Sequence, residues 1–148
     1  MGGSPYWYII PHEDPKAALK KLRTREFKAG RYHPAVPRLK FPITEKSPAP
    51  GAQHKSIKEA VTASEPEGTR SILDIDRISD KPEFLAATPL TDDQLMECFE
   101  TKKPTARHVE GLARMKLFSK IQRGQAVYFP LYQGDEPTEL MFAGYSCD

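Results

Sequence analysis

Several features that would assign a protein class at once are missing from this sequence. The chain has only two cysteines in 148 residues, Cys98 and Cys147, and they match no CxxC or zinc-ligand spacing. Its longest apolar runs, such as residues 6–10, are far shorter than the roughly 18 residues that a membrane span needs, and no basic segment followed by an apolar stretch begins it. We therefore expect no disulfide scaffold, no membrane partner and a cytoplasmic location.

The common nucleotide and hydrolase motifs are absent as well. The sequence contains no GxxxxGK[ST], GxGxxG, HExxH or GxSxG. None of its four histidines has a spacing that would gather a metal ion from one helix or strand. These absences disfavour the corresponding reaction classes, and we predict no metal site.

What the sequence does have is a concentration of positive charge. The net charge is only +2, yet residues 16–58 contain 12 Lys or Arg against two acids, Glu26 and Glu45. Such an excess favours an anionic ligand or nucleotide, or an acidic protein partner, and less strongly RNA, because nucleic-acid-binding domains are commonly more basic overall. A solvated helix face followed by a basic loop is the structural alternative.

The first part of the chain predicts a strand, a helix and a long loop. Aromatic and β-branched residues at 6–10 are typical of a strand. Asp14 as N-cap and Pro15 at the first helical position open a helix that closes at Gly30. Five prolines within residues 31–55 are incompatible with a helix or a central strand, so this segment is predicted to be a Pro-rich basic loop.

The remaining elements are predicted from caps, alternation and turns. In chain order they are a short helix after a Ser56 capping box, a strand over 69–75, a loop over 80–89, a helix after a Thr91 capping box, a helix from Thr105 to Gly124, and a hairpin of 127–132 with 140–145. Pro130 places the first hairpin strand at an edge or a bulge. The order indicates one α+β domain over residues 1–148, with a mainly antiparallel sheet and about four helices.

Two polar clusters flank the predicted loop. Arg31, Tyr32 and His33 follow the first helix and offer a guanidinium fork for phosphate, an aromatic face for stacking and an imidazole. His54 comes just before Ser56, at a helix start where free amides favour an anion. A helix cap with ordinary surface packing is the structural alternative for both clusters.

The layout of the first half of the chain resembles small proteins of the ADP-ribosyltransferase superfamily, including RES-type toxins and RNA 2'-phosphotransferases. The matching segments are Tyr8-Ile9-Ile10, the helix from Pro15, Gly30 to Pro34, Gln53 to Ser56, and Ser71 to Asp76. The resemblance implies that fold and an NAD cofactor. It also implies roles for five residues: ligand contacts for Arg31 and His54, nicotinamide stacking for Tyr32, a pocket amide or hydroxyl for Ser56, and the late catalytic acid for Glu139.

Two functions remain open at this stage. The first is an NAD-binding, ADP-ribosyltransferase-like protein that acts at the nicotinamide ribose. The second is a non-catalytic immunity or regulatory module that binds protein through the basic Pro-rich loop, with Tyr32 and Phe41 as anchors. The enzyme hypothesis requires Arg31, His54 and Glu139 to converge on one pocket.

Overall fold

The structure is a computed structural model that describes residues 3–33, 35 and 39–147; Pro34 and Pro37, which contribute to the loop prediction, lie outside this range. In chain order the helices and strands are β1 (Pro5–Pro11), α1 (Pro15–Ala29), α2 (Ile57–Ala63), β2 (Arg77–Ile78), β3 (Ala86–Pro89), α3 (Asp92–Phe99), α4 (Gly111–Phe118), β4 (Ala126–Gln133) and β5 (Glu136–Tyr145). The α+β prediction is confirmed, and none of the described helices could cross a membrane.

The five strands form one mixed sheet in the order β1-β5-β4-β3-β2. β5 pairs antiparallel with β1 and β4, whereas β3 pairs parallel with both β4 and β2. Most of the paired residues are antiparallel, as predicted, but the sheet is mixed because both pairings of β3 are parallel. Residues 80–89, predicted to be a loop, contain β3. Parallel strands require a crossover connection, and α3 and α4 form it between β3 and β4.

Alternate strand residues build two apolar clusters on opposite faces of the sheet. On β5, Leu140 and Phe142 join the cluster packed under α1, while Met141 and Ala143 join the cluster packed under α3 and α4. The helices therefore cover both faces. Because α1 buries only one side against the sheet, its other side is exposed to solvent.

The outer edge of β1 is protected by proline and by the long loop. Ile9 donates its backbone N–H to the Ile43 carbonyl at 3.0 Å, and Ile43 donates back to Trp7 at 3.0 Å. Pro5 and Pro11 occupy the next outward-facing positions and have no N–H to offer. The loop is thus anchored to the sheet at Ile43.

Most elements with strong local signals form as predicted. Asp14 accepts the Ala17 N–H at 3.1 Å as the cap of α1, and Gly30 ends the helix at φ +73°. A side chain at Gly30 would collide with the backbone of Gly51, so glycine also allows the loop to pass close to the helix end. The Thr91 capping box and the hairpin of β4 with β5 are confirmed.

Two predicted elements are wrong. The strand over 69–75 is instead a 3₁₀ turn at Ile72–Asp74, because the Ser71 hydroxyl accepts the Leu73 N–H and Asp74 accepts the Thr69 N–H, which replaces strand pairing by local bonds. The helix predicted from Thr105 to Gly124 is divided into a 3₁₀ turn at Ala106–His108 and the shorter α4, whose first residue, Gly111, has a positive φ.

Pro130 lies within β4, as the sequence allowed. β3 pairs with β4 only as far as Tyr128, so Pro130 lies past the end of β3. A residue without a backbone N–H is tolerated there because β3 offers no acceptor at that position. The register shift between Leu131 and Tyr132 places a bulge directly beside it. Because β4 is the middle strand of the sheet, the edge part of the prediction is wrong, whereas the register shift next to Pro130 agrees with the bulge part.

Candidate functional site

Arg31 lies in a buried ion-pair network at the end of α1. Its Nε and Nη2 donate to the two carboxylate oxygens of Glu26 at 2.9 and 2.8 Å, and its Nη1 donates to the Ser47 carbonyl at 2.8 Å. Arg25 shares the same carboxylate through its Nε at 2.8 Å. Glu26 is 0% exposed and Arg31 is 1% exposed, so this guanidinium fastens the long loop to α1.

The contacts of Arg31 are therefore all with protein atoms. Each of its three guanidinium nitrogens already donates a hydrogen bond, and the side chain has almost no exposed surface. These protein contacts give no support to the phosphate contact that the resemblance implies for Arg31. That contact stays a prediction.

Tyr32 and His54 do come together. The Tyr32 hydroxyl accepts the Gln53 N–H at 3.0 Å and lies 3.0 Å from Nδ1 of His54. Because the hydroxyl has a single proton, it can donate that proton to Nδ1, which leaves the other ring nitrogen of His54 as the N–H. One face of Tyr32 stacks on Phe27 with ring centroids 6.1 Å apart, and the residue is 1% exposed. The pair ties the loop to the core.

Ser56 and Glu139 lie in different surroundings. Ser56 caps α2, where its hydroxyl accepts the Glu59 N–H at 3.1 Å, as predicted. Glu139 lies on β5 and lines a cleft of about 280 Å³ beside Arg25 and Lys46. Neither Arg31 nor His54 belongs to the described lining of that cleft, so the convergence that the enzyme hypothesis requires is not seen there.

The two aromatic anchors proposed for protein binding, Tyr32 and Phe41, pack against other residues of the protein. Tyr32 is buried as described, and Phe41 packs on Trp7 with ring centroids 5.0 Å apart. Phe41 further meets Tyr8 edge-on at 6.1 Å. These two side chains stabilise the fold of the loop more than they offer an exposed binding surface.

A different cleft, of about 620 Å³, opens between α1, α2 and β2 and is here called the cationic cleft. Its lining consists of four cations, one acid, one hydroxyl and three apolar residues: Lys16, Lys20, Arg23 and Arg77; Asp76; Thr24; Leu19, Ile57 and Ile78. The combination of a basic rim with an apolar floor suits a ligand that carries both an anionic and an apolar part.

The four cations differ in how far protein acids already neutralise them. Arg77 pairs with Asp76 at 2.9 Å and with Glu83 at 3.1 Å, and these hydrogen bonds raise its pKa. Lys16 and Lys20 are exposed and have no acidic partner among the described residues. The cleft therefore has positive charge in excess of what its own acids balance.

Arg23 is the half-buried cation of the cleft. Its Nη2 donates to the Leu73 carbonyl at 2.8 Å, while its Nε is buried with no hydrogen-bond partner among the described residues. Burial lowers the pKa of this guanidinium, although a group of this kind stays protonated at neutral pH. Arg23 thus makes fewer protein hydrogen bonds than Arg31, and it lines the cleft.

The sequence predicts the positive charge of this region but not the cleft. Lys16 and Lys20 are four residues apart and so lie on one side of a helix, a signal that the sequence contains. The opposite wall comes from Ile57 and Asp76–Ile78, which only the tertiary fold brings to α1.

Among the residues that the structure describes, no group of three or more His, Cys, Asp or Glu could hold a metal ion. Comparison with family models, with curated proteins and with solved structures finds no match for this chain. No relative therefore assigns a role to any residue of the cleft.

Proposed function

We propose that this protein binds a phosphate-bearing small molecule of the nucleotide class in the cationic cleft. The observation that carries the proposal is the excess of cations at Lys16, Lys20 and Arg23 around an apolar floor. Cationic side chains bind phosphate oxygens, and an apolar floor accepts a planar ring. The volume of about 620 Å³ falls within the range of about 300–1,000 Å³ that small-molecule sites usually have.

NAD is the member of this class that the sequence resemblance favours, and ADP-ribosyl transfer is a narrower proposal within it. That activity would need Glu139 to stabilise positive charge at the nicotinamide ribose. Its support is limited to the position of Glu139 in a small cleft with Arg25 and Lys46. Ligand binding is therefore tested first, because it does not depend on an acceptor substrate.

The test is calorimetric titration with ATP, NAD and inorganic phosphate on wild type and on the double variant Lys16→Ala/Lys20→Ala. We expect saturable nucleotide binding that weakens at least about tenfold in the double variant, because a tenfold loss corresponds to about 1.4 kcal/mol.

The matched control is Lys102→Ala/Lys103→Ala, which removes the same charge from two exposed lysines that pair with Asp92 and Asp135. Its affinity should equal that of wild type. No saturable binding of ATP or NAD at millimolar concentration would overturn the proposal, and so would an equal weakening in both double variants.

A further inference from the structure

The cationic cleft continues into a second depression on the outer face of α1. This depression is lined by Ala17, Lys20, Lys21, Thr24, Arg25 and Lys28, and it shares Lys20 and Thr24 with the cationic cleft. Through Arg25 it also meets the cleft that contains Glu139. The three depressions together form one surface around α1, here called the cationic track.

The lining of the cationic track contains more cations than acids. The acids in its lining are Glu45, Asp76 and Glu139, and Glu13, Glu26 and Glu83 pair from outside it with Lys21, Arg25 and Arg77. Five lining cations have no acidic partner among the described residues: Lys16, Lys20, Arg23, Lys28 and Lys46. A surface of this charge raises the local concentration of anions, and most of all of a polyanion that meets several cations at once.

From this geometry we infer that the track binds a nucleic-acid strand through its phosphates, an inference that rests on the proposed phosphate site in the cationic cleft. Lys16 and Lys28 are twelve residues apart on one helix, which corresponds to about 18 Å at about 1.5 Å per residue. That span matches about five nucleotides of a strand stacked as in a duplex, at about 3.4 Å each. A single nucleotide cannot reach both ends.

The composition of the track also indicates how a strand would be recognised. None of the described residues that line it is aromatic. Proteins that bind single strands by stacking present aromatic side chains to the bases, so stacking does not contribute here. Binding through phosphates alone is insensitive to base sequence and strongly dependent on salt.

The experiment measures fluorescence anisotropy of labelled dT and dA oligonucleotides of 6 and 12 nucleotides over a range of NaCl concentrations. We expect the 12-mers to bind at least tenfold more tightly than AMP or TMP, with dA and dT equal within about twofold. Four phosphate contacts would give a slope of log K against log salt near −3, since each contributes about −0.7 on a single strand.

The decisive variant is Lys21→Ala/Lys28→Ala, which removes two cations of the track that do not line the cationic cleft. It should make the slope less steep by about 1.4 while the affinity for a mononucleotide stays unchanged. Lys102→Ala/Lys103→Ala serves again as the charge-matched control, and an unchanged unfolding midpoint shows that each variant is folded.

The outcomes separate this inference from the proposed function. Nucleotide binding without tighter binding of the 12-mers would overturn the inference and leave the proposed function intact. Failure of both nucleotides and oligonucleotides would overturn both. A strong preference for one base, an unchanged salt slope in Lys21→Ala/Lys28→Ala, or binding to polyglutamate and not to oligonucleotides would each overturn the strand inference alone.

Discussion

On the buried side of α1, Arg25 and Arg31 share the carboxylate of Glu26, whereas on its outer side Lys16 and Lys20 have no acidic partner among the described residues. The inner guanidinium of Arg31 makes three hydrogen bonds to protein and has no surface left for a ligand. The outer ammonium groups are exposed and can exchange water for phosphate. Proximity to a loop made Arg31 look functional in the sequence, but burial and partners decide which cations are available.

Glu26→Ala should have the largest effect, because it removes the shared carboxylate of the buried ion pairs. The change leaves Arg31 buried without its counter-charge, so we expect the free energy of unfolding to fall by about 3–5 kcal/mol. Urea denaturation measures it. The control is Glu13→Ala, which removes the partly exposed partner of the exposed Lys21 at 3.0 Å and should cost at most about 1 kcal/mol. Equal losses in the two variants would show that burial does not set the strength of these pairs.

A smaller change tests the attachment of the loop next to Arg31. Tyr32→Phe removes the hydroxyl that accepts the Gln53 N–H and contacts His54, and it should lower the free energy of unfolding by about 1 kcal/mol. Chemical denaturation compares it with Tyr132→Phe, whose hydroxyl has no hydrogen-bond partner among the described residues. That control should stay within about 0.5 kcal/mol of wild type. If Tyr32→Phe is equally neutral, the hydroxyl does not hold the loop.

The two buried carboxylates, Glu26 and Asp74, differ in the groups that bind them. Glu26 has two guanidinium partners, whereas Asp74 accepts the N–H and the hydroxyl of Thr69, both at 2.9 Å. Burial raises the pKa of Asp74. The native state therefore keeps this proton to a higher pH than the unfolded chain does, so the contribution of Asp74 to stability falls as pH rises above its ordinary pKa.

Asp74→Asn removes that titration. The free energy of unfolding of Asp74→Asn minus that of wild type should increase from pH 4 to pH 7, since only wild type loses stability through this group. Urea unfolding at four pH values measures the difference. A constant difference across the range would mean that Asp74 titrates alike in the folded and unfolded chains.

The outer side should contribute least to stability. Lys16→Ala/Lys20→Ala changes two exposed residues, and we expect its free energy of unfolding to stay within about 0.5 kcal/mol of wild type. Thermal unfolding followed by circular dichroism measures this change in stability. A loss of several kcal/mol would mean that these lysines serve the fold, in the manner of Arg31.

Local signals explain which parts of the fold could be predicted. Asp14, Pro15 and Gly30 fix the ends of α1 because caps depend on neighbours in sequence. β3 was missed because a four-residue strand is defined by its partners β2 and β4, which sequence patterns do not reveal. The candidate site likewise combines a local signal with tertiary contacts. The spacing of Lys16 and Lys20 was visible, whereas the wall formed by Ile57 and Ile78, and the burial of Arg31, depend on tertiary contacts.

The most direct test of the central claim is a nuclear magnetic resonance titration of the ¹⁵N-labelled protein with ATP. If the ligand lies in the cationic cleft, the amide signals of Leu19, Thr24 and Ile78 should shift together and saturate, while those of Tyr32 and Gln53 stay in place. Saturable shifts confined to the Tyr32 and Gln53 region, or no shifts at millimolar ATP, would contradict the account.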